Sequence, residues 1–423
     1  MKNWAKDIEF HPTQVLRPTS AAEVREAVAA ARSGGQTIRT TGRLHSSSDI
    51  IVANDICLST ERLDQIVSID VEAKRAVVQP GVQIRDLVEK LEVHGLTLEN
   101  TGGVMAQSIA GALTCDTHGT GREQPPLNTM VTRYTFVDGT GEEVVVTPDD
   151  ECFWAIGVSL GMLGVITEIE LRCVPSFHLQ SQATVFPFDE LPDKILAESH
   201  EYPRLQYFWY PGPGKVVRHV LREHADPGEA EVRRSLRVRH TFDLFFTFLS
   251  TLMGAIVALR PPIVRLLLRI FNKSRSLTLP SHAALSFRYF PKMHEAEVAF
   301  DIEDAPQVLA YLRENIATVT ASKKISGGIR FCAASRYYLS PVHGRDSLYV
   351  TLISVTAKDF DVVVKFQTEL ARKFGGRFHW GKKHPKDPEL LSTYAELPRF
   401  MALVRKHDPD RVFASPYFRR MFD

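Results

Sequence analysis

Apolar residues along the first third of the chain recur at two spacings, one helical and one extended. Between residues 18 and 31 (PTSAAEVREAVAAA), Val24, Ala27 and Val28 fall on one helical face. Thr19 or Ser20 stands at the N-cap and Glu23 in the first turn, which predicts a capped helix. Gly34 and Gly35 end it, and a short strand over 36–40 runs straight into Thr41 and Gly42. Alternating apolar positions predict further strands over 56–59, 66–70 and 76–79, then 132–137, 143–146 and 165–174. A second amphipathic helix is expected over 84–94, where Ile84, Leu87, Val88 and Leu91 share a face, and a third over 153–160.

The texture changes after Pro175 and Ser176. Strands there are rich in aromatics, at 205–210, 286–290 and 349–355, and helical patterns cover 305–316 and 360–374. A boundary is expected at this point, giving a first domain over 1–175, a second over 176–397 and a C-terminal segment, 398–423, that packs back on the first. The tail reads as a helix followed by a turn at Asp408, Pro409 and Asp410. The fold class is α+β, with no internal repeat.

Composition narrows the functional classes. At roughly 150 residues per domain, 423 residues make two to three domains. With 51 basic and 50 acidic residues the net charge is +1, so no overall field draws nucleic acid. Five cysteines are widely spaced without a Cys-x-x-Cys or Cys/His ligand pattern, which disfavours a disulfide framework and a metal centre. Residues 1–10 carry charges and no apolar core of a secretion signal, so a cytoplasmic location is expected. One run, from Leu244 to Leu259, holds sixteen residues without a charge, short of the roughly 20 that span a bilayer. It reads either as a buried helix of the second domain or as an interfacial anchor giving peripheral membrane association.

Two glycine-rich loops carry the candidate chemistry. Thr41-Gly42-Arg43-Leu44-His45-Ser46-Ser47-Ser48-Asp49 follows a strand directly, and its backbone N–H groups and hydroxyls suit an anion. Residues 107–121 (QSIAGALTCDTHGTG) are small enough to let backbone approach a flat ligand. Neither loop is a G-x-G-x-x-G opening a helix in a βαβ unit, and no P-loop lysine is present.

These loops, with Val78-Gln79-Pro80-Gly81, Gly95-Leu96-Thr97-Leu98, residues 159–167 (SLGMLGVIT), Phe378-His379-Trp380-Gly381-Lys382 and residues 408–413 (DPDRVF), follow one another in a recognisable order. The chain resembles the FAD-linked oxidases of the vanillyl-alcohol oxidase superfamily, and within it the aldonolactone and alditol oxidases. The resemblance implies a PCMH-type FAD-binding domain plus a cap domain with an antiparallel sheet flanked by helices. It implies that His45 carries FAD covalently, tight noncovalent binding being the other option. Thr41, Gly42, Arg43, Leu44, Ser46 and Ser47 would cradle the pyrophosphate. Ser108, Gly111, Thr114, Thr117, Gly119, Thr120 and Gly121 would line the flavin and ribityl chain, and Ile166 would meet the cofactor through its backbone.

The same resemblance implies an oxidase that takes hydride from an alcohol carbon of a small hydroxylated substrate, a sugar-derived lactone or polyol, with O2 as acceptor and hydrogen peroxide as product. Gly102 stands where dehydrogenase relatives carry an alanine that shields the flavin from O2. Lys382 would favour negative charge at the flavin and substrate oxygen, Arg330 would orient the substrate, and Ser108 would bond its hydroxyl. Residues 338–347 follow another element of the substrate side. One position departs from the pattern: the glutamate that partners the arginine is here Gly328, which puts a plain aldonolactone or alditol in question and favours a bulkier alcohol. A dehydrogenase passing electrons to a quinone or cytochrome, and a tailoring enzyme of secondary metabolism, are the alternative readings.

Overall fold

The computed structural model describes residues 1–210, 214–255, 276–287, 292–320, 325–354 and 360–423, with 262, 263, 265, 266 and 269. The first helix spans Ala21–Ser33, and both N-cap candidates take part in its start. Ser20 accepts the Glu23 N–H, while the Glu23 carboxylate accepts from the N–H and hydroxyl of Thr19. Val24, Val28 and Ala31 are buried on its inner face.

Two sheets make up the first half. Gln14–Leu16, Ile56–Ser59 and Ile38–Thr41 form a parallel trio with Ile56–Ser59 central. An antiparallel five-stranded sheet follows the order Ile66–Asp70, Arg75–Val78, Val165–Arg172, Val131–Val137, Glu143–Val146. The helix Ile84–Glu92 buries Ile84, Leu87, Val88 and Leu91 against this core, the four positions its spacing marks.

The second half is organised by one antiparallel eight-stranded sheet. Its order is Leu277–Pro280, His178–Pro187, Lys215–Glu223, Arg204–Tyr210, Ile325–Cys332, Ser347–Ser354, His294–Asp301, Arg377–Phe378. The period-2 pattern splits its central strands between two environments. Ile329, Phe331, Val350, Leu352, Ala296 and Val298 point into an apolar core with the helices Leu191–Glu201, Ala305–Thr320 and Phe360–Lys373. The alternate positions Gly328, Arg330, Thr351, Glu295 and Glu297 face a cleft toward the first half. The C-terminal helices Leu397–His407 and Pro416–Phe422 place Phe400, Leu403, Tyr417 and Phe418 in the first-half core. Between them the chain joins a strand of the parallel trio, Ile38 N–H donating to Val412 C=O at 2.7 Å.

Three sequence expectations need correction. The helix expected over 153–160 stops at Phe153–Ile156, because Leu160 (φ 56°), Gly161 (φ 82°) and Gly164 (φ 155°) turn the chain back. The strand expected over 286–290 does not form in its described part: Ser286 is a bend and Phe287 an isolated bridge to Val104, while 288–290 lie outside the described residues. The run from Leu244 belongs to a longer helix, Glu229–Ala255, and is not buried all round. Asp243, Leu249 and Ser250 are inside, but Leu244, Phe245 and Phe248 are exposed, Phe248 by 63%. Residues 256–259 of that run lie outside the described residues. Among the described residues, no helix is long and apolar enough to cross a membrane.

Candidate functional site

The loop after strand Ile38–Thr41 turns sharply, and its glycine is sterically required. A side chain at Gly42 would begin 2.0 Å from Ser108 Oγ, and one at Gly111 would begin 2.9 Å from the same atom. Both glycines therefore make room for Ser108, the residue before the short helix Ile109–Thr114. Leu44 adopts φ 56°, a conformation costly for a leucine and tolerated where surrounding contacts enforce it. Those contacts come from the N-terminal residues: Trp4 N–H donates to Leu44 C=O at 2.8 Å, Asn3 Nδ2 to Ser46 C=O at 3.1 Å, and the Trp4 ring lies 5.5 Å from that of His45.

His45 is thereby presented to the cleft as a neutral imidazole. Burial is the main cause that lowers its pKa to about 4, and the charges of Lys382 and Arg43 push the same way, against a hydrogen bond to the Ala106 carbonyl. A ring that spends its one N–H on a carbonyl leaves a lone pair on the other nitrogen, the nucleophilic form.

The edge strand Arg377–Phe378 delivers the opposite wall. His379 accepts the Gly381 N–H on Nδ1 at 3.0 Å, and burial lowers its pKa to about 4. The Gly381 carbonyl accepts from Ser47 N–H and Ser46 Oγ, which ties this wall to the His45 loop. Lys382 lies against the Glu295 carboxylate. Burial lowers the Lys382 ammonium to about 8 in spite of that neighbour.

The floor comes from the cap sheet, where Gly328, Thr351 and Glu297 are register partners across three adjacent strands. Thr351 Oγ1 donates to Glu297 Oε1 at 2.6 Å, and His118 Nε2 lies 3.7 Å from the same oxygen. Burial alone would raise the Glu297 pKa, but the His118 contact and the charges around it hold it well below the usual carboxylate range. His118 is fixed in turn, Nδ1 donating to Gly119 C=O at 2.9 Å and the ring stacked on Tyr349 at 3.7 Å. Next to Gly328 the sheet leaves space, with nothing nearer than 3.8 Å to where a side chain would start. Arg330 on the same strand reaches across to Gly103, Nη2 lying 3.3 Å from its Cβ position.

Together these walls enclose one cleft. Of the residues singled out in the sequence, Thr41, Gly42, Arg43, Leu44, His45, Ser46, Gly102, Ser108, Gly111, Thr114, Thr117, Arg330 and Lys382 line it. Ser47, Gly119, Thr120, Gly121 and Ile166 do not. Thr120 instead bonds the Leu205 carbonyl of the cap sheet, a side chain at Gly119 would strike Asn100, and one at Gly121 would strike Gln124 and Pro203. Ile166 is 5% exposed within its strand, in register with Phe136. Residues 338–347 also stay out of the cleft: Ser340 Oγ donates to the buried Asp116 at 2.6 Å, anchoring the second loop from below.

The cleft suits FAD. Arg39 Nε, Thr40 Oγ1, Arg43 Nε and Thr117 Oγ1 all belong to lining residues, are buried, and have no hydrogen-bond partner within the protein. Two are guanidinium atoms, and buried polar groups of this kind are available to a polar, anionic ligand such as a pyrophosphate. Sequence reasoning missed Arg39, Glu295, Glu297, His118 and Thr351 as site residues. The alternation of the cap strands was a usable signal for Glu295, Glu297 and Thr351; for Arg39, inside an otherwise ordinary strand, there was none.

Comparison with known proteins agrees with this geometry. A family model described as an FAD binding domain matches residues 12–147, and one described as D-arabinono-1,4-lactone oxidase matches residues 169–421. L-gulonolactone oxidase of Bos taurus is 30% identical over 440 residues, covering 100% of this chain and 98% of its own. L-gulono-1,4-lactone dehydrogenase of Mycobacterium tuberculosis is 27% identical over 427 residues, covering 99% and 98%. Among solved structures, cholesterol oxidase from B. sterolicum superposes with a TM-score of 0.81 at 17% identity, covering 100% of this chain and 96% of that one. A chitooligosaccharide oxidase superposes with a TM-score of 0.71 at 14% identity, covering 98% and 93%. At those identities the likeness is one of fold.

Proposed function

Since the chain belongs to the D-arabinono-1,4-lactone oxidase family and has the FAD-binding domain of a flavoenzyme acting on CH–OH donors, we propose that it oxidises an alcohol carbon of a small hydroxylated lactone or polyol, with His45 as the covalent attachment point of FAD and O2 as acceptor. The observation that carries this reading is the single cleft in which a neutral His45, unpartnered guanidinium atoms and the Arg330 and Lys382 side chains meet.

FAD, when bound, supplies the two-electron acceptor between the carbinol carbon and O2, which leaves as hydrogen peroxide. The chain supplies the rest. Arg39 and Arg43 neutralise the pyrophosphate, and the glycines around Ser108 let backbone close on the cofactor. Arg330 and Ser108 orient the carbinol by hydrogen bonds. The positive charge of Lys382 favours negative charge on the substrate oxygen, a preorganised electrostatic effect. Glu297, held by Thr351 and His118, keeps the floor of the cleft anionic. Gly102 puts no methyl group between O2 and the cofactor, the nearest one at that place being Thr117 Cγ2, 2.6 Å from where a side chain would start.

The test is anaerobic mixing of the purified holoenzyme with L-gulono-1,4-lactone and D-arabinono-1,4-lactone, followed at the flavin absorbance band. Bleaching by at least one, and recovery on admitting air with stoichiometric peroxide, is expected. Bleaching that recovers only with a quinone or cytochrome would make the enzyme a dehydrogenase and overturn the assignment of O2. A second reading concerns place rather than chemistry: the exposed Leu244, Phe245 and Phe248 support a peripheral membrane contact through the run from Leu244 to Leu259.

A further inference from the structure

A second cavity lies behind the first, between the cap sheet and the helix Glu229–Ala255. Its walls are Ala183, Val217, Phe242, Leu277, Ala284 and Leu285, together with polar side chains, of which Arg234 and Arg269 are exposed. His219 is bonded on one side to Ser181 at 2.5 Å and on the other to Gln206 at 2.8 Å. Arg239 is bonded to Asp243 at 2.9 Å and to the Ser286 carbonyl at 2.5 Å. What this annex offers an occupant is therefore chiefly apolar surface, with His219 and Arg239 already satisfied and the charges of Arg234 and Arg269 exposed.

The two cavities share Phe208, Phe246 and Phe287 in their walls. The rings of Phe246 and Phe287 stack there at 6.3 Å, and Phe287 stands beside the residue expected to hold the substrate, since Arg330 Nη2 and Phe287 Cδ2 are 3.3 Å and 3.9 Å from the same point, the Cβ position of Gly103. Phe287 is fixed there by its own N–H, which donates to the Gly103 carbonyl at 3.0 Å. On the cleft side the space is extended at Gly328, where no side chain fills the sheet face. At its far end the annex is lined by Val238 and Leu266, exposed by 49% and 42%, so it also reaches the surface.

We propose that the annex is a subsite for an apolar substituent of the donor, so that the preferred substrate is a hydroxylated lactone or polyol bearing an acyl, alkyl or ring group. Its carbinol lies at Arg330 and its apolar part passes the Phe208, Phe246 and Phe287 throat. This rests on the reading of the main cleft as the site of carbinol oxidation. An apolar group drawn from water into such a cavity gains about fourfold in affinity per buried methylene, with no new polar contact required of the protein.

The test compares L-gulono-1,4-lactone with its 6-O-butanoyl, hexanoyl and decanoyl esters as donors to the holoenzyme, under anaerobic conditions, reading the half-saturating concentration for flavin bleaching. That concentration is expected to fall with each added chain length, by at least about 100-fold from the parent lactone to the decanoyl ester. Ala183→Trp, within the annex, and Val238→Trp, at its exposed mouth, are each expected to shrink that ratio to below about 10. Two variants, one of them at a surface position, guard against a folding defect, and the chain-length series on the wild type needs neither. Bleaching by the parent lactone with no dependence on chain length would overturn the annex and leave the oxidation chemistry standing. Bleaching by none of the donors would overturn both.

Discussion

Two single residues, Lys382 and Gly102, carry much of the chemistry proposed for the cleft. Burial lowers the Lys382 ammonium to about 8, so its charge is present at neutral pH and lost as pH rises through that value. If that charge favours the reacting oxygen, the rate of substrate-driven flavin bleaching falls above about pH 8. Lys382→Arg, permanently charged, moves the fall to higher pH, and Lys382→Met removes it while slowing the reaction by at least about tenfold; a flat profile through pH 9 in the wild type would exclude the role. At Gly102 an added methyl would meet Thr117 Cγ2 at 2.6 Å, so Gly102→Ala displaces Thr117 as well as filling space. It is expected to slow reoxidation by O2 more than bleaching by the donor, and oxygen kinetics equal to wild type would refute it. His45 and Lys382 were legible as residues because they sit in short motifs. Glu297 was missed, since strand alternation marks the face it shares with Glu295 but not the His118 and Thr351 neighbours that the register brings to it.

At the level of elements, the strongly periodic segments were read closely. The strands Ile56–Ser59, Ile66–Asp70 and Glu143–Val146 and the buried face of Ile84–Glu92 fall where their spacing put them. Readings failed where tertiary contact or turn chemistry overrides periodicity. The helix expected over 153–160 is cut short by positive-φ residues, and the apolar run from Leu244 gave no sign that its helix starts at Glu229 and keeps one face wet. The N-terminal residues were read only for the signal they lack. In the structure Asp7 bonds His294 at 3.0 Å and Lys383 at 2.8 Å while Asn3 and Trp4 hold the His45 loop, so the segment straps the loop to the cap. The wet face of Glu229–Ala255 carries its own prediction. The wild type co-sediments with vesicles of phosphatidylcholine and phosphatidylglycerol, and Phe245→Asp with Phe248→Asp lowers the bound fraction at least about fivefold. Wild-type protein left wholly in the supernatant would dismiss the membrane contact.

Across the whole molecule, the site exists only where stretches far apart in the chain converge. The His45 loop and the loop over 107–121 come from the first half, the floor from the cap sheet, and the Lys382 wall from an edge strand that precedes the returning C-terminal helices. Motif order along the sequence made the first-half loops and the Lys382 segment legible together. The annex was beyond reach of the sequence, because it forms between strands and a helix far apart in the chain and is marked by no motif. The central claim is that this converged cleft holds FAD through His45, and the most direct measurement is flavin fluorescence on a denaturing gel after acid precipitation and washing, with His45→Ala alongside. Fluorescence that stays with the wild-type band and is absent from the His45→Ala band is the predicted result. Flavin released equally from both, or retained by both, would contradict attachment at His45, and a wild-type protein purified without flavin would contradict the cofactor assignment itself.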